Sequence, residues 1–333
     1  MLARIARELY WVGRYLARAE HTARMLDGVF QADLQGRPEA GGVLLSWEAL
    51  LTIMGAGRAV DGEHPGWDGL AAQGVDGRDE ALDVLTLDRG QGASVITCVE
   101  RAREGAAAVR DVISAEMWEA VNTFALTLRA GDLSARMRTG PYSVYQHVKE
   151  RCALFWGLAD RTMLRDDAQA FLLAGDRIES ADMMLRMLRV ALPPVADQAD
   201  EADVAAPLLD GHALALLQAV GGYQAYRRAV VAPPNAGPVA RFLLFDRGYP
   251  NSVASSVEMV HDSLVVADAD PRRSPPVLRL SRLSADLDFR HRAGMPDGEL
   301  VAMFEFVQDE LAQVDADVAE RYFAGAAGAA RGR

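Results

Sequence analysis

Apolar residues recur along this chain at the spacing of amphipathic helices. Near the start and again in the middle, apolar side chains step by three or four positions and so share one helix face. The two stripes are Leu9, Val12, Leu16, Ala19, Ala23 and Leu26, and Phe171, Ala174, Ile178, Ala181, Leu185 and Leu188. No run alternates in the manner of a β-strand. The pattern predicts an all-α fold.

The same periodicity places the remaining elements. Further helices are predicted at about 44–58, 78–88, 93–112, 115–129, 142–163, 166–191, 208–231, 236–245, 252–268, 276–289 and 298–322. Clusters of Gly and Pro predict loops at 35–42, 62–69, 129–141, 192–206, 232–238, 269–276 and 292–298.

Three stretches of the first half return in the second. "WVGRYLARAEHTARMLD" (11–27) matches "LAGDRIESADMMLRMLR" (173–189), and "LDRGQGASVITCVE" (87–100) resembles "FDRGYPNSVASSVE" (245–258). A weaker echo joins "LLTIMGA" to "LLQAVGG". These matches predict two tandem pseudo-repeats, 1–165 and 166–323, of about 160 residues each. We expect them to pack as one helical-bundle domain (1–323), followed by a flexible tail (324–333).

Several polar residues sit where a helix begins. Ser94 and Ser252 each follow an Asp-Arg-Gly turn, so both are predicted to be N-caps. Asp166 or Asp167 has the same predicted role for the second copy of the repeated helix.

A second line of residues runs beside the apolar stripe of the repeated helix. It comprises Gly13, Ala17, Glu20 and Arg24 in the first copy, and Gly175, Glu179, Asp182 and Arg186 in the second. Glycine inside a helix costs about 1 kcal/mol relative to alanine, so it indicates a close approach of another backbone or a ligand. Two interpretations stay open: surface pairs at i,i+4 with close helix crossing, or one shared cleft lined by carboxylates and guanidiniums.

Other polar residues interrupt apolar helix faces and are candidates for the same cleft. They are Glu116, Glu119 and Asn122, then Arg165, and finally Tyr223, Tyr226 and Arg227. For Tyr223, Tyr226 and Arg227 the alternative is packing plus a surface arginine.

Composition and charge exclude several functions. The chain has 333 residues and a formal net charge of −12, which is unfavourable for binding nucleic acid. The lysine of a phosphate-binding loop is absent, since Lys149 is the only lysine, so we predict no nucleotide cofactor. No apolar run is long enough for a membrane span, and Cys98 and Cys152 form no disulfide pattern, so a cytoplasmic protein is expected.

The motifs together resemble the bacterial alpha-E family, an all-helical family named for a motif that contains glutamate. The resemblance rests on "WVGRYLARAEHTAR", "RDVISAEMWEAVN", "TMLRDD", "GDRIESADMMLR", "QAYRRA" and "FLLFDRGYPNSV", in this order from about residue 1 to 315. The chain departs from the family pattern at Ala17, where glutamate is expected, and at Asp176 and Ser180, where arginines are expected.

The resemblance implies partners rather than a defined activity. Members look like companions of a circularly permuted ATP-grasp ligase and of a transglutaminase-like protein. The leading hypothesis is therefore a partner protein of an ATP-dependent peptide-modifying or amide-bond-forming system. It would bind the ligase or an intermediate through the arginine–carboxylate face, including Arg14, Arg24 and Arg186.

Two other classes of function remain open. In an acyl- or aminoacyl-transfer enzyme, one of four candidate catalytic residues would be the general base and the arginines would stabilise developing charge. Those four are Glu20, Glu116, Glu179 and Asp182. A metal-carboxylate bundle would need two Glu-x-x-His motifs, and the chain has one, Glu258 to His261, so we predict no metal.

Overall fold

The protein is all-helical over the residues described by its structure, a computed structural model that covers 1–34, 46–55, 77–130, 133–191 and 211–324. Its helices are α1 (Ala3–Leu34), α2 (Trp47–Ile53), α3 (Gly77–Leu82), α4 (Val95–Ala108), α5 (Ala115–Ala130), α6 (Leu133–Thr139), α7 (Pro141–Thr162), α8 (Asp167–Ala191), α9 (described over 211–219), α10 (Tyr223–Ala229), α11 (Ala236–Phe245), α12 (Val253–Ala267), α13 (Pro275–Ala293) and α14 (Leu300–Phe323). None of these described helices has the length and apolar character needed to cross a membrane.

Two groups of four long helices form the body of the fold. In the first group, α1 packs on α4 and α7, and α5 lies between α4 and α7. In the second group, α8 packs on α12 and α14, and α13 lies between α12 and α14. Helices α1 and α8 pack along each other and join the groups, so one continuous apolar core runs through both.

The α1–α8 contact is a backbone-to-backbone approach at two glycines. A Cβ atom on Gly13 would overlap the carbonyl oxygen of Leu172, and one on Gly175 would overlap the carbonyl oxygen of Tyr10. Contacts along the pair rise together in residue number, from Met1 with Asp167 through Gly13 with Leu172 to His21 with Ser180, so α1 and α8 run parallel. The glycines of the repeated motif therefore fix how closely the two groups pack.

Two predicted elements differ from the structure. The predicted helix 208–231 is broken into α9 and α10, because Gly221 has a left-handed backbone (φ 71°) and the Gly222 N–H bonds back to the Leu217 carbonyl at 2.8 Å. The predicted loop 129–141 contains the helix α6, whose buried residues include Leu133 and Met137.

Other predicted boundaries agree to within a few residues or fall outside the described part of the chain. Helix α13 continues four residues past its predicted end and stops at the left-handed Gly294. The predicted loops at 35–42, 62–69 and 192–206 lie outside the described residues, as does all of the predicted tail after residue 324.

The predicted helix caps are confirmed. The Ser94 hydroxyl accepts the N–H of Thr97, and the Ser252 hydroxyl accepts the N–H of Ser255. Of the two acids at the start of α8, it is Asp166 whose side chain accepts backbone N–H groups in the first turn.

Replacing either close-packed glycine with alanine should destabilise the protein. We expect Gly175→Ala to lower the free energy of unfolding by about 1–3 kcal/mol, because its methyl group must push two helix backbones apart. The control is Gly157→Ala in α7, where an added Cβ meets nothing within 4 Å. There, helix propensity should raise stability by up to about 1 kcal/mol.

Urea denaturation followed by circular dichroism measures both variants. An unchanged or higher unfolding midpoint for Gly175→Ala would contradict the close-packing account.

Candidate functional site

The parallel packing of α1 and α8 brings the charged residues of the repeated motif into one cluster. Arg14 and Arg18 lie one helical turn apart on α1, and both point at Glu179 on α8. Arg18 donates from Nε to Glu179 Oε1 at 2.6 Å and from Nη2 to Oε2 at 3.0 Å, and Arg14 donates from Nε to Oε2 at 2.8 Å. One carboxylate is thus bound by two guanidiniums from the other helix.

The carboxylate at the centre of this cluster is almost removed from solvent. The Glu179 side chain is 1% exposed, and those of Arg14 and Arg18 are 12% and 23% exposed. Burial alone would raise the pKa of Glu179, but the charges and hydrogen bonds of Arg18 and Arg14 hold that pKa below its ordinary value. Burial opposes the charge on Arg14, but the combined effects of Glu179, Tyr10 and Asp315 outweigh burial and raise the pKa of the guanidinium. All three groups are therefore ionised at neutral pH.

Arg14 extends the cluster to the last helix of the fold. Its Nη1 donates to Asp315 Oδ1 at 2.8 Å, and the Tyr10 hydroxyl donates to the same oxygen at 2.6 Å. The guanidinium also lies over the ring of Trp11, 4.8 Å from its centroid, in a cation–π contact. Helices α1, α8 and α14 are thus joined through one arginine.

The outer charged pairs of the motif lie one to two turns further along, at the edge of the core. Arg24 donates from Nε to Glu20 Oε1 at 2.8 Å, and Arg186 donates from Nε to Asp182 Oδ2 at 2.8 Å. The Asp182 carboxylate also accepts from Gln308 Nε2 at 2.9 Å. These are the i,i+4 pairs that the spacing predicts, and they are partly open to solvent.

Each outer arginine also reaches a left-handed glycine. Gly55 ends α2 with φ 64°, and a Cβ atom there would lie 3.8 Å from Arg186 Nη1. Gly221 follows α9 with φ 71°, and a Cβ atom there would lie 3.4 Å from Arg24 Nη1. The two glycines belong to the stretches that echo each other in the sequence.

A second set of buried polar side chains involves Asp176 and Ser180, two of the positions at which the chain departs from the family pattern. Asp176 is buried, and its carboxylate lies 3.0 Å from Arg177 Nε. Burial, reinforced by Glu20 and Glu179, raises the pKa of Asp176 to about 7 against the opposing effect of Arg177. Asp176 is therefore a nearly buried acid that exchanges its proton near neutral pH.

Ser180 and His21 complete this second group. The Ser180 hydroxyl lies 3.1 Å from His21 Nε2, and both side chains are buried. The other ring nitrogen, His21 Nδ1, is buried without a hydrogen-bond partner. Burial lowers the pKa of His21, so the imidazole is neutral at pH 7.

The residues predicted from "RDVISAEMWEAVN" and "TMLRDD" lie away from the cluster. Glu116 and Glu119 are exposed on α5. Asn122 accepts a hydrogen bond from Arg103 Nε at 2.7 Å, and Arg165 is exposed, 3.8 Å from Asp160. None of the four contacts the α1–α8 cluster in the hydrogen bonds and ion pairs of the described residues.

The residues predicted from "QAYRRA" form a separate feature. Tyr226 is buried, and its hydroxyl donates to the carbonyl oxygens of Ala232 and Pro233. Arg227 is exposed and lies over the ring of Tyr223, 5.9 Å from its centroid.

Two important features of the site were not predicted from the sequence. The first is the hydrogen bond between Arg14 and Asp315, which lies 301 residues later on the polar face of α14. The helical pattern predicts only that this face is exposed to solvent. Asp176 was noted as a departure from the family pattern, but its raised pKa depends on burial that no local pattern reports.

The single Glu-x-x-His motif is used in local contacts. Glu258 pairs with Arg247 at 3.1 Å, and the His261 ring lies 3.0 Å from Asp262 and 2.9 Å from Ser281. No group of three or more His, Cys, Asp or Glu side chains is arranged to hold a metal ion within the described ranges.

Comparison with known proteins gives a family but no activity. The sequence model of the Alpha-E family, described as a predicted alpha-helical domain with a conserved ER motif, matches residues 1–323. Uncharacterized proteins of Mycobacterium bovis and of two strains of Mycobacterium tuberculosis are each 25% identical over 325 residues. That match covers 95% of this chain, which spans 35% of the length of each relative. No solved structure matches the chain.

Removing the buried carboxylate should cost far more stability than removing an outer one. Glu179→Gln leaves the half-buried Arg18 without its counter-ion and leaves Arg14 with Asp315 alone, so we expect a loss of about 3 kcal/mol in the free energy of unfolding. Asp182→Asn removes a partly exposed i,i+4 partner and should cost at most about 1 kcal/mol. Urea denaturation at pH 7 measures the free energy of unfolding of both variants. Similar losses in the two would show that Glu179 contributes no more to stability than Asp182.

Asp176 should make stability depend on pH. The unfolded carboxyl releases its proton near pH 4 and the folded one near pH 7, so the folded state binds more protons between these values. The contribution of Asp176 to the free energy of unfolding is therefore fully present below pH 4. It is lost as the pH rises to 7, and the loss amounts to about 4 kcal/mol at most.

Asp176→Asn should remove this dependence and be more stable than the native protein at pH 8. Thermal unfolding from pH 4 to pH 8 measures it, with Asp182→Asn as the control. Parallel curves for the native protein and Asp176→Asn would refute the assignment.

Proposed function

The chain belongs to the Alpha-E family, and from that membership we propose that it is a partner protein of an ATP-grasp-dependent system that forms amide bonds or modifies peptides. The observation that carries the proposal is length. The whole helical unit corresponds to about a third of each curated relative, so in those proteins it is joined to a longer polypeptide. A unit that occurs next to further chain is suited to work with another domain.

The burial of the inner charges supports the outer part of the motif as the side that would face such a partner. Arg14, Arg18 and Glu179 neutralise one another inside the protein, so their charges are used in holding α1 to α8. The outer pairs remain within reach of solvent, and the Arg186 side chain is 42% exposed. We therefore assign partner binding to the outer edge formed by Glu20, Arg24, Asp182 and Arg186, where guanidinium forks suit carboxylates and acyl phosphates. The proposed partners are a circularly permuted ATP-grasp ligase and a transglutaminase-like protein.

We also propose that the chain is a tandem duplication, 1–165 and 166–323, forming one domain. Matched local features support it. Asp88 and Asp246 each accept the N–H of the glycine two residues later, and Ser94 and Ser252 each cap the helix that follows. The left-handed glycines after α2 and α9 are each approached by the outer arginine of the other proposed copy.

The remaining chemistry supports two further points. Cys98 and Cys152 are buried free thiols with raised pKa values, which fits the proposed cytoplasmic location.

A second function, acyl or aminoacyl transfer, is favoured by Asp176, since a carboxyl whose pKa is about 7 is suited to general acid–base catalysis.

Purification of the tagged protein from its native cell, followed by mass spectrometry, tests the partner proposal. We expect an ATP-grasp ligase in stoichiometric amount, and a several-fold loss of it with Arg186→Gln. The matched control is Arg129→Gln on α5. The Arg129 side chain is 43% exposed and likewise pairs with a carboxylate, that of Glu100. A partner-free preparation, or equal recovery with both variants, would contradict the proposal.

A further inference from the structure

An open cavity of about 580 Å³ lies at α10 and the turn that follows it. We name it the α10 cavity, and its walls include Tyr223, Arg227, Arg228, Val231, Pro233 and Pro234. Its volume is in the range of sites that hold small molecules.

The cavity wall is rigid because of Tyr226. This residue is 1% exposed, and its ring packs edge-on against Phe242 at 5.4 Å between centroids. Its hydroxyl is within 3.2 Å of the Ala232 carbonyl oxygen and 2.8 Å of that of Pro233. The turn is thus tied to the buried end of a tyrosine, and two prolines restrict its backbone further.

The cavity carries positive charge without a counter-ion in the described part of the chain. Arg227 and Arg228 are exposed, and neither pairs with a carboxylate among the ion pairs of the described residues. The ring of Tyr223 lies under the Arg227 guanidinium and orients it. The arginines of the repeated helix motif, such as Arg14, Arg24 and Arg186, bind carboxylates, whereas Arg227 and Arg228 lie beside a cavity without such a partner in the described chain.

Apolar surface lies next to these charges. Val231 is fully exposed, and Pro233 and Pro234 also line the cavity. Fork-shaped guanidiniums favour carboxylate and phosphate groups, and the proline and tyrosine rings favour a flat or apolar body attached to them.

We propose that the α10 cavity binds a small molecule that carries a carboxylate or phosphate next to an apolar or aromatic group. Arg227 and Arg228 hold the anionic group, and Tyr223, Val231 and the two prolines contact the apolar part. The proposal goes beyond the partner function, because it concerns α10 and not the outer edge of α1 and α8.

The test uses the full chain with ¹³C-labelled tyrosine rings and follows Tyr223, assigned through Tyr223→Phe, in NMR titrations. The probes are N-acetylphenylalanine, its neutral amide, and inorganic phosphate. We expect saturable shifts of the Tyr223 signal with one or both anions at millimolar concentration, and none with the amide. A response to N-acetylphenylalanine alone identifies carboxylates as the ligand class, and a tighter response to phosphate identifies phosphates.

A matched pair of variants separates binding from general charge effects. Arg227→Gln with Arg228→Gln should weaken anion binding at least tenfold. The control, Arg272→Gln with Arg273→Gln, removes another exposed adjacent arginine pair and should leave the affinity unchanged. Circular dichroism confirms that both variants fold.

Three results would overturn the proposal. They are the absence of saturable binding by either anion, equal binding of the neutral amide, and equal loss of affinity in the two variants. If the cavity variant lost thermal stability and the native protein bound no anion, the arginines would serve only the C-terminal carbonyls of α10.

Discussion

The close approach of the α1 and α8 backbones at Gly13 and Gly175 sets the conditions for everything around it. Two helix backbones in direct contact leave no room for water between them, so a carboxylate at this level must be neutralised by protein groups. Glu179 is neutralised by two arginines from α1, each contributing a directional hydrogen bond. These bonds also fix the register, since sliding α8 by one residue along α1 would separate Glu179 from both guanidiniums. The glycines therefore permit the approach, and the buried ions select one alignment of the two helix groups.

The sequence predicts this helix pair well at the local level and poorly across the chain. Periodicity finds the stripes, the mid-helix glycines and the acid–base face, because each depends only on residues three or four positions apart. The same local view pairs Glu20 with Arg24 and Asp182 with Arg186, and both pairs form. It cannot find that Glu179 binds Arg14 and Arg18, or that Arg14 also binds Asp315, because these contacts depend on how α1, α8 and α14 are placed in space. The break after α9 was missed for a related reason: one left-handed glycine outweighs an apolar period that continues on both sides of it.

The departures from the family pattern have a common physical logic. At the offset of 162 residues that aligns the two motif helices, Ala17 corresponds to Glu179, while Asp176 and Ser180 correspond to Arg14 and Arg18. A buried carboxylate and the two arginines that neutralise it form one electrostatic unit, so loss of one member alone leaves uncompensated buried charge. Here all three members differ together. What replaces them is a neutral histidine–serine contact and an acid that burial keeps protonated up to about pH 7.

This arrangement changes where function should be sought. A motif that identifies a family is often taken as its active site, yet here the inner motif residues are occupied in joining two parts of the fold. Their burial leaves a ligand or partner only the outer pairs and the features that other motifs place on the surface. The "QAYRRA" motif has the opposite character: its buried tyrosine builds a wall, and its arginines face outward without carboxylate partners in the described chain. Charge that the fold does not use internally remains available for recognition, so the α10 cavity and the outer edge are stronger binding candidates than Glu179 and the arginines that surround it.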